Sequence, residues 1–122
     1  MRLLIVDDSP EFLEVAQAVL ENDGMTVVGV ASSSHEALDR IRHLRPDVAL
    51  VDIDLGDESG FDVARRLAAG GDPVPSLIII SSHDGDDFEE LLETSPALGF
   101  VSKSGLSGDA IRAVLETKGS AT

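Results

Sequence analysis

Five short runs of unbroken apolar residues punctuate the chain: "LLIV" at 3–6, "MTVVGVA" at 25–31, "VALV" at 48–51, "LIII" at 77–80 and "LGFV" at 98–101. They are rich in β-branched side chains and do not alternate with polar ones, the pattern of strands covered on both faces. Between them apolar residues recur at helical spacing: Phe12, Leu13, Ala16, Val19 and Leu20; Leu38, Ile41 and Leu44; Phe61, Ala64, Leu67 and Ala68; Phe88, Leu91 and Leu92; then Ala110, Ile111, Val114 and Leu115. Start and stop signals agree. Ser9 precedes Pro10 at a first helical position, "SSHE" from Ser33 to Glu36 has the form of a capping box, and Gly24 and the Gly70-Gly71 pair follow helix ends. Strand then helix, five times, with connections too long for hairpins, predicts a parallel sheet wound by right-handed crossovers, with helices on both faces.

Composition narrows the possibilities. A length of 122 residues with 43% hydrophobic content suits one packed core, expected over 1–118, with 119–122 as a flexible tail. Acidic residues number 23 against 9 basic ones, a formal charge of -14, so duplex nucleic acid and anionic membrane are repelled. The absence of cysteine excludes disulfides and thiolate chemistry, and four Phe with no Trp or Tyr leave little from which to build a base-stacking platform. No apolar stretch approaches the roughly 18 residues of a membrane span, and a cytoplasmic protein is expected.

Chemistry gathers at strand ends. Asp7 and Asp8 follow the first apolar run, Asp52 the third, Ser81 the fourth, and Lys103 comes after the fifth. In a parallel sheet these carboxyl ends share one edge, where open α/β sheets bind their ligands. If the first and third strands are neighbours, three carboxylates converge there. Two of them held about 4 Å apart repel by roughly 4 kcal/mol at an effective dielectric of 20, so the cluster needs a cation. An all-oxygen set without His or Cys points to Mg²⁺, and three carboxylates, one such ion and the Lys103 ammonium sum to neutrality. Singly, each residue has a plainer use, such as the aspartates favouring the positive end of a helix or Lys103 sitting in solvent. Together, at one edge and in this order, they read as a site.

As a set, "IVDD" near the start, "VALVDIDLGDESGFD" around the middle aspartate, "IIISSHD" at the fourth strand and "GFVSKS" at the fifth resemble the receiver domain of two-component response regulators. The resemblance spans essentially the whole chain. It implies a (βα)₅ flavodoxin-like fold, a doubly wound five-stranded parallel sheet of order 2-1-3-4-5. It also implies phosphorylation of one aspartate by a sensor histidine kinase or a histidine phosphotransfer protein. Asp52 is then the phosphoacceptor. Mg²⁺ is held by Asp8, by Asp7 mainly through water, by Asp52 and by the backbone carbonyl of Asp54. Ser81 is the switch hydroxyl, Lys103 the countercharge, Phe100 the aromatic rotor, and Ser82 the small residue that keeps access open. No organic cofactor is implied. The domain is expected to catalyse only its own phosphorylation and dephosphorylation. The face of the fourth helix, fifth strand and fifth helix would signal to a downstream protein target or output domain, as a monomer or a phosphorylation-dependent dimer. Signalling by protein contact is expected, as a stand-alone regulator or phosphorelay intermediate.

Several positions depart from the family's habit. Ser104 stands where proline usually follows the lysine, Phe100 replaces the commoner Tyr, Ser81 replaces Thr, and "LGDESG" lacks the proline often found after the aspartate. His83 and the Asp54 side chain are candidates for tuning phosphate loss, although His83 reads first as an exposed loop residue. Two alternatives remain at this point. The Asp52-x-Asp54 pattern is similar to that of haloacid-dehalogenase-like phosphatases, but their motif follows the first strand and expects Thr where Gly56 stands. A receiver-like module that binds partners without phosphorylation is the other.

Overall fold

A computed structural model describes residues 1–69, 74–82, 93 and 95–120, the last four in backbone only. The elements run β1 (Arg2–Val6), α1 (Pro10–Asn22), β2 (Thr26–Ala31), α2 (Ser34–Leu44), β3 (Val48–Asp52), β4 (Asp54–Leu55), β5 (Glu58–Ser59), α3 (Gly60–Ala69), β6 (Ser76–Ser81), β7 (Gly99–Ser102), a 3₁₀ turn (Lys103–Gly105) and α4 (Gly108–Ser120). The segment carrying Phe88, Leu91 and Leu92, the Gly70-Gly71 pair and His83 lie outside the described residues.

The main sheet has five parallel strands in the order β2-β1-β3-β6-β7. Setting aside the small β4–β5 pair, which lies apart from it, this is the expected 2-1-3-4-5 order. Side chains of successive strand residues point to opposite faces, so the unbroken aliphatic runs divide between two cores. Leu4, Val6, Ala49, Val51, Leu77 and Ile79 face α2 and α3. Leu3, Ile5, Val48, Leu50, Ile78 and Ile80 face α1 and α4. Each large aliphatic side chain buried in this way contributes about 1.5–3 kcal/mol of transfer free energy. The outer strands differ from expectation. β2 and β7 are largely half-buried rather than enclosed, because each has a neighbour on one side only.

Helix ends follow their signals with one change. Ser9 Oγ accepts from Phe12 N at 3.3 Å and Pro10 opens α1, while Gly24, at φ +88°, turns the chain out of it. At α2, Ser33 Oγ accepts from Glu36 N at 3.2 Å, but the Glu36 carboxylate reaches back to the N–H and hydroxyl of Ser32 instead of closing the box on Ser33. The start of α3 has a steric requirement of its own. A Cβ on Gly60 would stand 2.3 Å from the Asp52 carbonyl oxygen, so only glycine lets the chain pass this close behind β3.

Candidate functional site

Val6 of β1 pairs with Val51 of β3, which brings the residues that follow each strand to the same edge. Asp7 extends β1 by one bond, its N–H donating to Ala31 O at 2.9 Å, and its side chain is completely buried. Its Oδ1 accepts from Ser9 N at 2.9 Å, and among the described residues its Oδ2 meets no donor other than the Lys103 ammonium, 2.7 Å away. Asp52 closes β3 at 5% exposure, with Oδ2 3.4 Å from Lys103 Nζ. Asp8 is exposed, and its Oδ2 accepts from Gly56 N at 3.1 Å. One oxygen from each of Asp7, Asp8 and Asp52 lies within 4.8 Å of the other two.

The electrostatics show a surplus of negative charge. Burial, and next the field of Asp7, push the Asp52 carboxyl up to about 6, although Lys103 and the Asp54 N–H pull the other way. Burial alone would lower the Lys103 ammonium, but its bond to Asp7 and the field of Asp52 outweigh that and hold it above its ordinary value. One lysine therefore does not neutralise three carboxylates. An all-carboxylate set at this spacing, with one member raised chiefly by burial and then by a second carboxylate, fits a hard divalent cation that prefers oxygen.

Ser81 is the last residue of β6, fully buried, one position beyond the Ile80 that pairs with Asp52. Phe100 lies in β7 opposite Ile79 and packs, half-buried, against the core beneath α2 and α3. By strand alternation Ser81 belongs to that same face. Ser82 is exposed beyond the strand end, and the exposed side chain of Asp54 opens the β4–β5 hairpin. Among the described residues no peptide bond is cis, so Lys103–Ser104 is trans, and the Ser104 hydroxyl lies 2.8 Å from that of Ser102.

Two features of the site went unforeseen. The first is Phe12, whose ring centroid lies 4.4 Å from Lys103 Nζ. In the sequence it is one more apolar position of a helix. The second is a set of bonds on Glu58, whose carboxylate accepts from Ser34 N at 3.1 Å, Ser34 Oγ at 2.6 Å and Arg66 Nη1 at 3.0 Å. These tie the hairpin beside Asp52 to the start of α2 and to α3. "SSHE" signalled the helix start, but nothing in it pointed to a carboxylate 24 residues away.

A family model described as the response regulator receiver domain matches residues 3–116. Protein-glutamate methylesterase/protein-glutamine glutaminase 1 of Syntrophus aciditrophicus is 40% identical over 83 residues, 67% of this chain and 23% of that protein. Response regulator GacA of Pseudomonas viridiflava is 28% identical over 115 residues, 93% of this chain and 53% of that one. The chain spans about a quarter to about half the length of such curated relatives. The BeF3-activated N-terminal receiver domain of Klebsiella pneumoniae RstA is similar in structure at a TM-score of 0.77 and 26% identity, covering 96% of this chain and 97% of that one. With three acidic side chains and a lysine meeting where a doubly wound sheet binds its ligands, and with that match running nearly end to end, the chain belongs to the response regulator receiver domain family.

Proposed function

We propose that this receiver domain takes a phosphoryl group onto Asp52 from a phosphohistidine of a sensor histidine kinase or histidine phosphotransfer protein. The ion would be Mg²⁺, held by Asp7, Asp8, Asp52 and the Asp54 carbonyl. The observation that carries this reading is the meeting of Asp7, Asp8, Asp52 and Lys103 at one sheet edge, with negative charge in excess. A carboxylate is a poor nucleophile toward an anionic phosphoryl group, and such transfers rest on positioning and charge neutralisation. Bound Mg²⁺ supplies the larger part of that neutralisation.

The chain's own residues do the rest. Asp52 Oδ forms the new P–O bond as the P–N bond of the donor breaks, and the electron pair returns to the imidazole nitrogen. Lys103, 3.4 Å from the Asp52 carboxylate, offsets charge on the phosphoryl oxygens. Water later attacks phosphorus, and the acyl phosphate P–O bond breaks to regenerate the carboxylate and release inorganic phosphate. The mark is temporary, with His83 and Asp54 as candidates to tune its loss.

Adding about two negative charges beside Ser81 draws its hydroxyl toward the phosphoryl oxygens. Phe100, on the same sheet face, then turns inward and biases a surface that includes β7 and α4 toward a partner-binding form. Output goes to a downstream protein or output domain and not to nucleic acid or membrane. No described helix is long and apolar enough to cross a membrane.

Intact mass after incubation with Mg²⁺ and acetyl phosphate is the test. The wild type should gain one phosphoryl group and Asp52→Asn none. Equal labelling, or no labelling of the wild type, overturns the reading. Sustained phosphate release from a phosphomonoester, which is not a phosphodonor for a receiver, would instead favour a phosphatase.

A further inference from the structure

Lys103 reaches its carboxylates on a side chain with four rotatable bonds, from a 3₁₀ turn whose next residues, Ser104 and Gly105, are exposed. No covalent constraint in that turn aims an ammonium at Asp7 rather than at solvent. The aim comes from elsewhere. Asp7 Oδ1 accepts from Ser9 N, Ser9 Oγ accepts from Phe12 N, the Phe12 ring lies 4.4 Å from Lys103 Nζ, and Lys103 Nζ returns to Asp7 Oδ2 at 2.7 Å. The four residues close a ring of contacts, and the capped first turn of α1 fixes where the aromatic face stands.

We propose that Phe12 is the positioning residue for Lys103, its ring holding the ammonium over Asp7 and Asp52 in the place from which it meets an incoming phosphoryl group. The attraction is that of a cation for the negative face of an aromatic quadrupole, which strengthens when water is partly excluded. Here the Lys103 side chain is 19% exposed. The ring is a far weaker acceptor than a carboxylate, so the N–H donors still go preferentially to oxygen. Asp7 and Asp52 by themselves fix the lysine at its tip. Phe12 adds the lateral support that keeps it there when phosphorylation redistributes charge between the two aspartates.

Although this inference rests on the phosphoacceptor reading, its test separates the two. The chain has only two lysines, Lys103 and Lys118, so a ¹³C-lysine label gives two ε-methylene signals. In the full chain without metal, the Lys103 ε protons should be shifted upfield of those of Lys118 by the ring current. Phe12→Leu and Phe12→Met, which keep bulk but lose the aromatic face, should abolish that shift, and Phe12→Tyr should keep it. With Mg²⁺ and acetyl phosphate, labelling should slow about fivefold in the Leu and Met variants and stay near the wild-type rate in Tyr. Far-UV circular dichroism and urea melts show whether each variant is folded, and Met serves should Leu pack poorly. No ring-current shift in the wild type, or Leu and Met variants labelled as fast as wild type, overturns the proposal. A wild type that shows the shift but takes no phosphate removes the phosphoacceptor reading and the rate claim, while leaving the contact established.

Discussion

Asp52 sits at 5% exposure with its carboxyl raised to about 6, chiefly by burial and then by Asp7. A carboxyl whose folded pKa lies above its unfolded value binds its proton more tightly in the folded state. Its stabilising contribution is therefore complete below the unfolded value near 4 and is lost as pH rises through about 6. In metal-free buffer, Asp52→Asn should gain on the wild type across that window by about 3 kcal/mol at most, in urea melts taken from pH 4 to pH 7. Parallel pH profiles would show that Asp52 carries no such strain. Glu36 and Glu58, held below the ordinary carboxylate range chiefly by the hydroxyls of Ser32 and Ser34, act in the opposite sense and weaken the fold as acid protonates them. Comparing the two proteins cancels that background. The acidic residues were legible in the sequence because a charge at the end of an apolar strand has no role in a core. Phe12 was not, because an aromatic at helical spacing looks the same whether it meets a leucine or an ammonium.

At the scale of elements, the hairpin of β4 and β5 decides how the site is framed. Gly56 N–H holds Asp8 from one side, and Glu58 ties the other side to Ser34 and Arg66. Glu58 thereby adds a second carboxylate acceptor at the start of α2, where unpaired N–H groups favour negative charge. Glu58→Ala should cost about 1 kcal/mol, since the carboxylate is partly exposed, and should raise hydrogen exchange at the amides of Ser34 and Gly56 together. If only Ser34 exchanged faster, the hairpin would be held by other contacts. Strands of two residues carry no readable period, so nothing in "LGDESG" announces a hairpin, and its pairing appears only once Leu55 is buried and Glu58 finds α2. The five main strands were readable for the opposite reason. Each carries a run of aliphatic residues long enough to exclude a solvent-facing side, except at β2 and β7, where sheet order and not local sequence decides exposure.

For the whole molecule, a formal charge of -14 favours the approach of a cation and makes compaction correspondingly costly. What holds the chain together against that repulsion is a pair of aliphatic layers separated by the sheet. Leu67 of α3 lies in one and Ile111 of α4 in the other. Leu67→Ala should cost about 3 kcal/mol and Ile111→Val about 1 kcal/mol, and their effects should add to within about 0.5 kcal/mol in chemical denaturation. A larger departure from the sum would mean that the sheet transmits packing strain from one layer to the other.

The same partition bears on how such a protein tolerates change. Neighbouring strand positions answer to different company, so one flank of the sheet has freedom to exchange its entire lining while the opposite flank keeps its fit. Between the flanks, what must stay constant is the peptide framework and the acidic rim on which it ends. Lineages of this fold are thereby left room to remodel the surface they show to one protein without disturbing the surface they show to another.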